Sequence, residues 1–111
     1  MNISVEKVAD IMMVVPRPAQ AAQAATRLET VMAAHMERGE RRFVLDLSEI
    51  DDLAAADVRT VLMYTRRLRQ EGGALLVCHL SETATQTIER IGVSALIDVA
   101  PTRAAAVAAL A

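Results

Sequence analysis

With 111 residues, the chain is long enough for one compact domain with a real core and too short for two ordinary ones. Twelve Lys and Arg against fourteen Asp and Glu leave a formal charge of −2, which excludes the strong positive field that holds nucleic acid or an anionic membrane. Alanine makes up much of the 53% hydrophobic fraction, and one Phe, one Tyr and no Trp leave aliphatic packing dominant, with few platforms for stacking bases or sugars.

Ile3 to Val8 alternates weakly, and Ile11 to Val15 is a continuous β-prone run. Two strands joined by a tight turn at Ala9 and Asp10 fit both segments. Pro16 and Pro18 stop a central strand there. From Ala19 the pattern becomes helical, with Leu28, Val31, Met32 and His35 on one face and a stop near Gly39. "RRFVLDL", Arg41 to Leu47, is a short apolar run of the kind covered on both faces of a sheet.

After the acidic turn at Asp51 and Asp52, the residues Val58, Val61, Leu62, Thr65 and Leu68 recur at helical spacing, while Arg59, Arg66, Arg67 and Arg69 face elsewhere. "EGG", Glu71 to Gly73, ends this helix, and "ALLVC", Ala74 to Cys78, is the next core strand. Ser81 caps a helix with Ala84, Ile88 and Ile91 on one face and Gly92 at its end. "ALIDV", Ala95 to Val99, predicts a last short strand, and Thr102 caps an alanine-rich helix buried through Val107 and Leu110. The order is β-β-α-β-α-β-α-β-α: an α/β fold with a mixed, mostly parallel sheet of 4–5 strands, packed by about four helices in a single domain over 1–111.

Positive signals for chemistry are missing. Cys78 ends an apolar strand, where a free thiol usually packs as a small hydrophobe, and His35 and His79 have no HxxxH or paired-Cys spacing. No metal site, catalytic residue or cofactor is expected. No strand is followed by GxGxxG or GxxxxGK[ST], so no phosphate cradle is expected either. Asp51 or Asp52 is assigned to capping the helix, and Asp57 to its N-terminal dipole. Ser48 follows a strand and Ser81 is a cap, so their structural roles come first. The lone Cys78, no charged leader before an apolar stretch, and no apolar run near the roughly 20 residues of a spanning helix predict a cytoplasmic protein without direct membrane insertion.

Three stretches carry a family resemblance: "FVLDLSEIDDL", "RTVLMYTRRLRQEGGALLV" and "ERIGVSALIDV". Together they resemble the STAS domain of bacterial anti-sigma factor antagonists and of sulfate-transporter tails, without an insertion from about Phe43 to Val99. The family's turn after "DLS" continues Asp-Ser-Ser-Gly, and its first Ser accepts phosphate from a partner kinase that is also an anti-sigma factor. Laid on this chain, the motif puts Ala54 at the Asp, Ala55 at the phosphoacceptor, Ala56 at the second Ser and Asp57 at the Gly. The family's early Gly-x-Leu-Asp motif is also missing, with Pro18 near its Gly and Ala21 near its Asp.

The resemblance implies a non-enzymatic regulator that binds a protein through Asp52, Leu53, Ala54, Ala55, Ala56, Asp57 and Arg59, with the phosphoacceptor lost at Ala55. The implied partner is a GHKL-type anti-sigma kinase. One alternative implied by other STAS proteins is a subunit docked on an ABC transporter for lipids or solutes. The other is a self-associating scaffold or ligand sensor, with a homodimer as its signature. Nucleic acid is expected in none of them.

Overall fold

The computed structural model describes residues 3–18 and 21–110, without the side chains of 21–26. Strands β1 (Ile3–Val8) and β2 (Ile11–Pro16) form an antiparallel hairpin in which Val8 pairs with Ile11. Only Ala9 and Asp10 remain for the turn, and Ala9 takes a left-handed φ of 56°. Helix α1 (Ala21–Glu37) leads to β3 (Arg42–Asp46), which runs parallel to β2. The helical expectation at Ala19 lies outside the described residues.

Next come α2 (Ala55–Gln70), β4 (Ala74–Cys78), α3 (Glu82–Ile91), β5 (Asp98–Ala100) and α4 (Arg103–Leu110). Sheet order follows chain order, β1-β2-β3-β4-β5, and every pair after the hairpin is parallel. The architecture agrees with the α/β expectation of a mixed sheet of 4–5 strands packed by about four helices: five strands and four α-helices form among the described residues.

The sheet has two buried faces. On the first, Met12, Val14, Phe43, Leu45, Leu75 and Val77 meet Leu28, Met32 and Met36 of α1, Val58, Val61, Tyr64 and Leu68 of α2, and Ala84 and Ile88 of α3. Met36 rather than His35 completes the buried stripe of α1. The second face carries Ile11, Met13, Val44 and Cys78 and is covered by Ala106 and Leu110 of α4. Alternation along β2 and β3 splits each strand between the two layers, so a five-residue strand such as β3 is apolar throughout its middle.

Caps at α3 and α4 follow the sequence. Ser81 Oγ accepts from the Ala84 N–H at 3.0 Å, Gly92 closes α3 at φ 88°, and Thr102 Oγ1 accepts from the Ala105 N–H at 3.1 Å. The "ALIDV" expectation is corrected. Ser94–Leu96 is a 3-10 turn in which the Leu96 N–H bonds to Val93 O at 2.9 Å, and pairing with β4 begins only at Asp98, opposite Leu76. The turn uses those residues to bring the chain from the end of α3 back to the sheet edge. Ile91 is likewise 43% exposed rather than part of the buried face of α3, and Val107 is half-buried beside the more deeply buried Ala106.

Candidate functional site

The loop after β3 leaves the carboxyl end of a parallel strand, where open α/β sheets usually place their sites. It is rigidly held. The Ser48 N–H donates to Asp46 Oδ1 at 2.9 Å, and the Ile50 N–H donates to Leu47 O at 3.0 Å. Two residues of the α3 segment then clamp the next turn: the Ser81 hydroxyl donates to Asp51 O, and the Thr87 hydroxyl donates to Asp52 Oδ1 at 2.6 Å. The same Asp52 oxygen accepts from the Leu53 N–H at 2.8 Å. The Thr87 bond, followed by the Leu53 amide, holds the Asp52 carboxyl below its ordinary pKa.

Helix α2 then starts without a polar cap. Ala54 is the N-cap residue, and its carbonyl accepts from the N–H groups of Asp57 and Val58. Neither Asp51 nor Asp52 caps the helix, contrary to expectation, because Asp52 turns instead toward Thr87. Asp57 supplies half of a capping box, its Oδ2 accepting from the Ala54 N–H at 3.2 Å. Its Oδ1 is buried with no hydrogen-bond partner among the described residues. Burial, only partly offset by the Ala54 amide, pushes the Asp57 carboxyl above its ordinary pKa.

A raised carboxyl pKa in the fold means a cost that is absent below the unfolded value of about 4 and grows as pH rises through the folded value. Asp57→Asn keeps an acceptor for Ala54 and removes the charge. It is expected to be more stable than the wild type at pH 7, by about 0.5–1 kcal/mol, with the gain vanishing below about pH 4. Urea unfolding at both pH values checks this, and an equal gain at both would rule out charge burial as its source.

The expected site residues therefore divide into two groups. Asp52, Ala54, Ala55, Ala56 and Arg59 are exposed, whereas Leu53 and Asp57 are turned inward at 8% exposure each. Leu53 joins the core of the first face and anchors the loop from below. Burial of Asp57 has a signal in the sequence: it lies 4, 7 and 11 residues before Val61, Tyr64 and Leu68, on the stripe that faces the sheet. Pro18 is exposed after β2, and Ala21 opens α1 with its side chain outside the described residues.

The exposed part of this segment carries three methyl groups, Ala54 to Ala56, with Asp52 before them and Arg59 three residues after them. The three alanines offer neither nucleophile nor base. The nearby hydroxyls are engaged in structure: Thr60 Oγ1 donates to Ala56 O at 3.0 Å, and Ser81 bridges Asp51 and Ala84.

A second polar cluster lies at the ends of β3 and β4, where atoms of Asp46, Cys78 and His79 fall within 4.8 Å of one another. Its groups already serve the fold. Arg103, the first residue of α4, gives Asp46 Oδ2 two hydrogen bonds, of 2.6 Å from Nη2 and 3.2 Å from Nε, and its backbone N–H donates to His79 Nε2 at 3.3 Å. Burial acts to raise the Asp46 carboxyl, but the bonds from Arg103 and Ser48 outweigh it and keep the group below its ordinary value. Burial, with the Asp46 charge beside it, pushes the Cys78 thiol up to about 11, so it stays protonated. The Asp46–Arg103 pair joins residues 57 apart in the chain, and no local pattern announces it.

Among the described residues, no helix is long and apolar enough to cross a membrane. The STAS domain family matches residues 2–106. A proposed anti-sigma factor antagonist, BtrV of Bordetella bronchiseptica, is 40% identical over 85 residues, which span 77% of this chain and 73% of that protein. Among solved structures, Thermotoga maritima TM1081 has a TM-score of 0.89 at 12% identity, with 97% of this chain and 93% of that one covered. An anti-sigma factor antagonist from Mycobacterium paratuberculosis has a TM-score of 0.85 at 19% identity, with 98% and 92% covered. At these identities the two structures speak for the fold alone.

Proposed function

The chain belongs to the STAS domain family and resembles anti-sigma factor antagonists, and from that premise we propose that it is a non-catalytic cytoplasmic regulator binding a kinase-type anti-sigma factor. Contact is made through Asp52, Ala54, Ala55, Ala56 and Arg59, with Leu53 and Asp57 supporting them from beneath. Of the three roles the sequence raises, the 40% identical relative favours this one.

The carrying observation is the exposed Ala54–Ala56 patch at the start of α2, on a loop clamped by Ser81 and Thr87. In the family, a hydroxyl here takes phosphate. That modification adds about −1.5 to −2 charges and three acceptor oxygens, enough to break an apolar or acidic contact. Ala55 has no oxygen to modify, so the surface remains in its binding form whatever the kinase activity of the partner.

The test uses a purified kinase-type anti-sigma factor from the same organism, with affinity measured by calorimetry with and without ATP. Wild type is expected to bind equally in both conditions. Ala55→Glu is expected to weaken binding at least about tenfold by placing a charge in the contact, and Ala55→Ser to gain ATP-dependent release. Wild-type affinity retained in Ala55→Glu would remove this patch from the interface, and failure of the wild type to bind any such kinase would end the reading.

A further inference from the structure

We propose that the outer face of α2 is a docking stripe for an acidic amphipathic helix of the partner, centred on Met63 and flanked by Arg59 and Arg66. This rests on the protein-binding role above and extends it from the loop along two further turns of the helix.

Three observations carry it. First, Met63 is 44% exposed beside half-buried Leu62, on a helix whose opposite side fills the core. Second, the arginines of α2 fall into two classes. Arg67 pairs with Glu71 and lies over the Tyr64 ring, and Arg69 pairs with Asp98 at 2.6 Å. Arg59 and Arg66 are exposed, and among the described residues neither has an ion-pair partner. Third, Arg59, Leu62, Met63, Arg66, Arg67 and Gln70 line one shallow depression.

Spacing sets the chemistry of the occupant. Arg59 and Arg66 are seven residues apart, which puts them on one face about 10 Å apart, with Met63 between them. A helix with carboxylates at i and i+7 and apolar side chains at i+3 and i+4 presents the same period. Its acids reach the two guanidinium groups while its apolar side chains settle on Met63, whose unbranched thioether adapts to irregular surfaces. One turn before Arg59, Ala55 lies on the same stripe, and its small side chain lets a partner backbone come close. The chain as a whole carries a formal charge of −2, so the stripe is a local exception rather than part of a general basic field.

Two measurements test the stripe. In the first, the 15N-labelled full chain is titrated with a helical peptide carrying Glu at i and i+7 and Leu at i+3 and i+4. Amide shifts are expected to centre on Arg59, Met63 and Arg66. They should fade with added salt, vanish in the Arg59→Glu/Arg66→Glu double variant, and return when that variant meets a peptide with Lys in place of Glu. Shifts elsewhere, or none in the millimolar range, would overturn the proposal. So would a homodimer in solution built on α2, or anionic vesicles bound by the wild type and released by the double variant.

In the second, the double variant is expected to lose about 30-fold in affinity for the kinase-type partner. A partner that binds wild type and double variant alike leaves the protein-binding role standing and removes the stripe. A peptide that docks on α2 while no such partner binds removes the role and keeps the stripe.

Discussion

Gly73→Ala is expected to destabilise the fold by about 3 kcal/mol or more, the upper range for forcing an atom into filled space. A Cβ on Gly73 would lie 2.1 Å from the Arg41 carbonyl oxygen and 2.9 Å from its carbon. The backbone cannot retreat easily. The Gly73 N–H is bonded to Leu68 O at 2.7 Å, and the Ala74 N–H is bonded to that same Arg41 oxygen at 2.9 Å. These bonds set the start of the parallel β3–β4 register, in which Arg42 faces Ala74 and Asp46 faces Cys78.

Gly72→Ala is the matched control. Gly72 has a left-handed φ of 82°, and a methyl group added there would meet nothing within 4 Å, so only the conformational cost of about 1 kcal/mol applies. Urea unfolding of both variants gives the comparison, and a Gly73→Ala protein within about 1 kcal/mol of Gly72→Ala would show that the strand entry moves freely.

The second large effect is expected at the joint between α4 and β3. Arg103→Ala leaves the Asp46 carboxylate, 2% exposed, without its cation. Fully buried pairs lose about 3–5 kcal/mol on such a cut, and with the Arg103 side chain 46% exposed to screening solvent, about 2 kcal/mol is expected at pH 7. The pH dependence follows from the depressed carboxyl. Its stabilising contribution is complete above the unfolded value of about 4 and is lost as pH falls through the lower folded value. In Arg103→Ala the uncompensated charge costs most at neutral pH, and the cost disappears on protonation. Wild type and variant should therefore converge in stability as pH drops below about 4. A gap that stays constant from neutral to strongly acid pH would assign the loss to side-chain packing instead.

Much of the fold is legible in the sequence because its signals are local. The helical period of Val58, Val61, Thr65 and Leu68, the Gly stops at Gly39 and Gly92, and the caps at Ser81 and Thr102 each depend on neighbours within a turn or two. The strand expected over Ala95 to Val99 starts too early, because β-propensity ignores the distance back to β4, which requires a turn first. Resemblance locates the candidate loop but says nothing of its internal geometry. Acids often cap helices, which makes a cap the natural assignment for Asp52, yet its partner is Thr87, thirty-five residues on. For Asp57 the dipole is only part of the account, since its spacing from Val61 and Leu68 already places it inward. Exposed Met63 emerges only from the structure, since a lone apolar residue on an arginine-rich face has no period of its own.

The two faces of the sheet also close at different moments in the life of the chain. Helices α1, α2 and α3 cover the first face as successive crossovers, each emerging soon after the strand it packs against. The second face waits for α4, an eight-residue helix supplied after every strand has been made. Synthesis runs from the N-terminus, so Ile11, Met13 and Val44 remain bare on a ribosome-bound chain until residues 103–110 clear the exit tunnel. A nascent chain stalled before residue 103 would therefore present Ile11, Met13 and Val44 on an uncovered sheet face to its neighbours.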